Sequence, residues 1–261
     1  MFLHLNVPDL TKVILSNNQL TTITNKFPST IRYLDLSNNQ IKSLDYYSFK
    51  SLYSLNVLNL SYNSLLEIQQ DTFTRIPYLE ILDLSYNLLS TFVFSFPLPS
   101  NLKYLYLDSN PNLIEINFGH TLVQQRLIGL SLRHNKNMKL SSFPPHLTQL
   151  DLTDCNIVQS SILPLFVSLT KLTHLSLADN QLERLPSIDK NVRLEYLNVS
   201  NNRLTSIEDH WLNDQLHFLD LTFNQIQSLE FLKSKLNTGI IGIYPVENIG
   251  GGGLTKGGAI T

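Results

Sequence analysis

An α/β solenoid, a curved horseshoe arc with about ten parallel β-strands on its concave face, is the fold class this sequence predicts, and three observations carry it. Leucine supplies 51 of the 261 residues. The strings LTKVILSNNQL, IRYLDLSNNQI, LNVLNLSYNSL and LEILDLSYNLL superpose on one template, L-x-x-L-x-L-x-x-N-x-L. It starts at Leu10, Ile31, Leu55 and Leu79 and returns at Leu102, Leu127, Leu147, Leu172, Leu194 and Leu216, a mean step of about 23 residues. The ninth template position is asparagine in nine of the ten copies: Asn18, Asn39, Asn63, Asn87, Asn110, Asn135, Asn180, Asn202 and Asn224.

Each part of the template has a physical reading. L-x-L puts two leucines on one face of a short strand and the residue between them on the other, so every copy contributes one half-buried strand. Ten such strands stacked in parallel at about 4.8 Å make a concave line on the order of 45 Å long. The asparagine falls where the chain turns inward, and its amide can satisfy buried backbone groups there. The seventh copy, LTQLDLTDCNI, carries Cys155 instead. That residue is expected to be buried and structural, because a reactive thiol needs exposure and a nearby positive group.

The repeat resembles the leucine-rich-repeat family over about residues 2 to 236, and most closely the 24-residue kind seen in extracellular and immune recognition proteins. Phe49 with Leu52 and Phe73 with Ile76 give the F-x-x-L pattern of the convex side of that kind. Steps of 20 to 25 residues and prolines before the strands, at Pro28, Pro99 and Pro144, also resemble shorter bacterial and irregular amoebal repeats. The resemblance implies a non-enzymatic protein-recognition module, such as a fragment of a receptor or of a secreted immune ectodomain. A second class it allows is a cytosolic regulatory or adaptor subunit that positions an enzyme such as a phosphatase or ubiquitin ligase.

Two segments are expected in all: residues 1–244 as the repeat domain and 245–261 as a flexible glycine-rich tail, since eight of the ten glycines follow Thr238. Leu229, Phe231, Leu232 and Leu236 continue an apolar pattern suited to sealing the last coil. Phe2 to Leu10 reads as the return of an earlier unit, so the chain is expected to begin partway through a repeat. GGGGLTKGG is not a phosphate loop, because Lys256 is followed by glycine and no strand-to-helix context surrounds it.

Composition excludes several classes of function. Nineteen basic against 21 acidic side chains, with no basic block, give nucleic acid no electrostatic footing. The one cysteine forms no internal disulfide, and metal-site spacing is absent, so neither cofactor nor metal is expected. The longest apolar run, Ile162 to Val167, is far short of the roughly 20 residues of a membrane-spanning helix. The opening residues lack the basic start and apolar run of a signal peptide. The seven histidines are scattered, with no nucleophile or ligand pair among them, so no catalytic residue is expected.

Binding is another matter, because the concave sheet exposes template positions that the fold leaves open. The third position reads Lys12, Tyr33, Val57, Ile81, Tyr104, Gly129, Gln149, His174, Tyr196, Phe218. The fifth reads Ile14, Asp35, Asn59, Asp83, Tyr106, Ser131, Asp151, Ser176, Asn198, Asp220. With Asp108 at the seventh position and Asp154 and Asp179 at the eighth, these lanes hold seven aspartates against Lys12 and Arg133, a formal −5 on a chain of −2. The candidate site is therefore Tyr33, Asp35, Asp83, Tyr104, Tyr106, Asp108, Asp151, Asp154, Asp179, Tyr196, Phe218 and Asp220. Aromatic anchors beside carboxylates suit a protein or peptide ligand offering Lys, Arg or apolar side chains. Asp154 and Asp179, flanked by His134 and Asn201, form a narrower candidate pair for a cation or a ligand arginine. The sequons at Asn59 and Asn198 fall on the same face, where a glycan would obstruct it.

Overall fold

In the computed structural model each copy of the template becomes a three-residue strand. The residues described are 7, 9–23, 27–69, 71–93, 99–117, 126–140, 142–158, 166, 168–228 and 230. The strands are Lys12–Ile14, Tyr33–Asp35, Val57–Asn59, Ile81–Asp83, Tyr104–Tyr106, Gly129–Ser131, Gln149–Asp151, His174–Ser176, Tyr196–Asn198 and Phe218–Asp220. They pair in chain order into one ten-stranded parallel sheet. Register is fixed by the template: the middle residue of each strand, from Leu34 through Leu219, is buried, and its two neighbours lie on the concave side, exposed or half-buried except at Gly129, Ser131 and Ser176. Leucines from the flanking template positions close the core beneath, so each copy packs only on the copies beside it.

The asparagines hold this stack together. Asn63 donates through Nδ2 to the carbonyl of Leu36 in the preceding copy (3.0 Å) and of Leu60 in its own (3.1 Å). Its Oδ1 accepts the amide of Ile41 (3.0 Å). The Nδ2 bonds recur at Asn39, Asn87, Asn110, Asn135, Asn180, Asn202 and Asn224. A turn whose backbone groups are out of reach of water is thereby satisfied by one side chain. Cys155 takes the same slot, its thiol donating to the carbonyl of Leu132 (3.0 Å). Burial pushes that thiol up to about 12, with the Asn135 amide at its sulfur pulling weakly the other way. A group held protonated and buried is structural, as its template position implied.

Entry into each strand is also templated. The carbonyls of Pro28, Pro99 and Pro144 accept the amides of Ile31, Leu102 and Leu147, and Leu52 and Ile76 do the same for Leu55 and Leu79. Only the carbonyl is used, so proline's missing N–H costs nothing at this turn. On the convex side Phe49 and Phe73 stack with centroids 6.0 Å apart, as the F-x-x-L pattern implied. Helical turns are nearly absent there among the described residues. In their place run two short parallel pairs, Ser43–Leu44 with Glu67–Ile68 and Thr91–Val93 with Glu115–Asn117, and one 3-10 turn, Asp209–Trp211. A step of about 23 residues that spends eleven on the template leaves roughly a dozen for the whole return, too few for a helix and two turns. The expected tail 245–261, the sealing residues Leu229, Phe231, Leu232 and Leu236, and residues 2–6 lie outside the described residues. No helix among the described residues is long and apolar enough to cross a membrane.

Candidate functional site: the concave face

The sheet places the third- and fifth-position residues in two adjoining lanes, in the register read from the template. Tyr33, Tyr104, Tyr196 and Phe218 share one lane, and Asp35, Asp83, Tyr106, Asp151 and Asp220 the other. The aromatic lane comes in pieces. At one end Lys12 lies over the Tyr33 ring, its Nζ 4.6 Å from the centroid. Val57 and Ile81 then separate Tyr33 from Tyr104. At the other end His174, Tyr196 and Phe218 form a continuous stack, with centroids 5.9 and 4.4 Å apart.

The fifth-position acids have a local task. Oδ1 of Asp35, Asp83, Asp151 and Asp220 accepts the backbone amide two residues on, at 2.9 Å in each case. Asn59 and Asn198 do the same for Ser61 and Ser200. These are Asx turns that carry the chain out of the strand, which is why the position alternates between Asp and Asn. One oxygen of each carboxylate remains on the concave surface. Both sequon asparagines lie on the concave face as expected, with their side-chain oxygens engaged in these turns.

Asp108 departs from that pattern. Its Oδ1 accepts the Ser131 hydroxyl (2.6 Å) and the Arg133 amide (2.9 Å) of the next copy, replacing the turn residue that Ser131 is too short to provide. Burial raises its carboxyl above the usual range, against the pull of those two hydrogen bonds. Arg133 extends along the same surface, Nε 3.7 Å from Asp151 Oδ2. Asp108, Asp151, Tyr104, Tyr106, His174 and Tyr196 surround an open depression of about 380 Å³ floored by Gly129, Ser131 and Ser176.

Asp154 and Asp179 are separately engaged. Asp154 bonds His134 Nδ1 through Oδ2 (3.0 Å) and Lys136 Nζ through Oδ1 (2.9 Å). Partial burial opposes its charge, but these two partners outweigh it and hold the carboxyl below the usual range. Asp179 accepts from the Asn201 amide at 2.6 Å. No group of three or more His, Cys, Asp or Glu placed to hold a metal occurs among the described residues.

Asp154 and Asp179 share the eighth template position, whose backbone conformation the sequence does not announce. It is left-handed in all ten copies, with φ between 51° and 62°. Asn17, Asn38, Asp154, Asp179 and Asn201 are residues that tolerate that conformation. Tyr62, Tyr86 and Phe223 are not, yet all three are exposed, and Tyr62 stacks on Tyr86 with centroids 4.1 Å apart. Five Asn or Asp at one template position was the available signal.

Family profiles described as leucine-rich repeats match residues 8–65, 29–89 and 54–113, then 143–161, then 170–213 and 192–234. This chain belongs to the leucine-rich-repeat family. The family's fold is a protein–protein interaction fold, typically without enzymatic activity. Among solved structures, the leucine-rich-repeat domain of APL1B is similar at 25% identity and a TM-score of 0.62, over 85% of this chain and 64% of that one. The chain thus spans less than two thirds of that domain. A complex of Latrophilin 3, Unc5D and FLRT2, the last represented by its leucine-rich repeats, gives 23% identity and a TM-score of 0.59, over 87% of this chain and 65% of that one. The InlJ domain of Listeria monocytogenes gives 21% and 0.57, over 86% and 49%. No curated protein matches the sequence.

Proposed function

We propose that this leucine-rich-repeat domain binds a polypeptide ligand on its concave face, through the aromatic residues Tyr33, Tyr104, Tyr106, Tyr196 and Phe218 with the carboxylates around them. The observation that carries the reading is the middle of the arc, where residues depart from the repeat average while the backbone does not. Tyr106, Ser131 and Ser176 stand where other copies keep Asx-turn residues, and Gly129 interrupts the third lane. Tyrosine on a rigid strand offers contact area at little entropic cost, and the excess of acid favours a ligand of opposite charge. The similarity to FLRT2, whose repeats occur in a complex with other proteins, is consistent with a protein ligand.

The test is affinity capture from native extract with the parent chain and with a variant carrying Tyr33→Ala, Tyr104→Ala, Tyr106→Ala and Tyr196→Ala, both shown folded by circular dichroism. A protein retained by the parent and lost by the variant supports the reading. Equal capture by both moves the site off the concave face.

A further inference from the structure

The aromatic lane stops where a glycine replaces a side chain, and the reason is local. Gly129 sits in ordinary strand backbone, so no unusual φ requires it. What requires it is the Tyr104 ring, which lies across it: a Cβ at 129 would collide with Tyr104 Cδ1 and come within 2.9 Å of Cε1. Beyond Gly129 the lane resumes with Gln149 and then the His174 stack. The gap between a flat-lying Tyr104 and that stack is the depression, with room for about a dozen waters at about 30 Å³ each.

Its chemistry is lopsided. Asp108 spends only Oδ1 on Ser131 and Arg133, and Oδ2 has no hydrogen bond among the described residues. Arg133, the cation lining this depression, has its Nε 3.7 Å from Asp151 Oδ2, and its charge is the last and weakest of the influences on Asp108. A neutral or apolar group seated here would strip water from Asp108 with nothing in return, and a charged acceptor loses most by that exchange. A cation would supply the missing partner, and the rings of Tyr106 and Tyr104 would cover its methylenes.

We infer that the depression over Gly129 is an anchor subsite for one arginine or lysine side chain of the polypeptide ligand, its charged end on Asp108. This inference rests on the concave face being the binding surface and specifies what that surface selects.

The probe is a display library of random dodecapeptides, selected separately on the parent chain, on Asp108→Asn and on the four-tyrosine variant. The Asp108→Asn change keeps an Oδ1 acceptor for Ser131 and Arg133, so circular dichroism and thermal midpoint should match the parent. The expected result is a peptide family from the parent with one fixed basic position, lost on Asp108→Asn. Replacing that basic residue with its neutral counterpart in a synthetic peptide, citrulline for arginine or norleucine for lysine, should weaken binding to the unmodified protein at least about tenfold. Peptides lost on the tyrosine variant but lacking a fixed basic residue, or indifferent to that replacement, would overturn the anchor and leave concave binding standing. Peptides insensitive to both variants would overturn the two together.

Discussion

The front of the concave face, from Tyr33 to Asp83, and its middle, from Tyr104 to Ser176, share one backbone and use it differently. In front, the fifth-position residues Asp35, Asn59 and Asp83 all cap their own turns, and Tyr33, Val57 and Ile81 make an even third lane. In the middle only Asp151 still caps its own turn, while Tyr106, Ser131 and Ser176 occupy that position in the other copies, Asp108 reaches across from a neighbouring copy to serve Arg133, and Gly129 opens a hollow beside Tyr104. A residue that the backbone needs says nothing about a ligand. Where the backbone is kept and the residue is not, the side chain is available for something outside the chain.

Four changes sharpen or break this contrast. The largest concerns what both regions share: Asn63→Ala and Asn135→Ala should each cost about 3 kcal/mol in urea unfolding, since each strands several buried backbone groups. A cost under about 1 kcal/mol at Asn135 alone would show the middle spine to be built on other contacts. Next is pH. The Cys155 thiol sits at about 12 in the folded chain and near 8.5–9 when unfolded, so its contribution is fully present below about pH 8.5 and is lost as pH rises toward 12. Relative to Cys155→Asn, the parent should lose about 2–3 kcal/mol by about pH 10.5, read from urea midpoints across the pH range.

The third change tests the contrast itself. Asp83→Ala should cost about 1 kcal/mol and Asp83→Asn under about 0.3, because the Asx turn needs only a side-chain oxygen. Tyr106→Ala, which caps nothing, should fall within about 0.5 kcal/mol of the parent. The last change has the opposite sign: Phe223→Asn should raise the thermal midpoint slightly, by about 0.5 kcal/mol of stability, because Phe223 is 76% exposed at a left-handed position that asparagine tolerates.

Most of the fold was legible because leucine spacing and strand geometry share a period. The ten template starts and the lane assignments follow from it, and the role of the asparagines follows from a turn whose backbone needs partners. The site was legible as a surface but not as an arrangement. Asp35 and Asp83 read as free acids because a side chain's bond to its own turn leaves no mark beyond Asp alternating with Asn. Asp154 and Asp179 read as a pair, but the left-handed backbone there accounts for their residue type, and His134, Lys136 and Asn201 occupy them. The lean of Tyr104 over Gly129 depends on ring packing between neighbouring copies, which no single repeat encodes.

The most direct test of the central claim compares two variants against one captured or selected ligand, by isothermal titration calorimetry. One variant alters the front lane, with Val57→Ala and Ile81→Ala, and the other the middle, with Tyr104→Ala and Tyr106→Ala. The middle variant should lose at least about tenfold in affinity and the front one less than about threefold. Equal losses, or a larger loss at the front, would contradict the central claim.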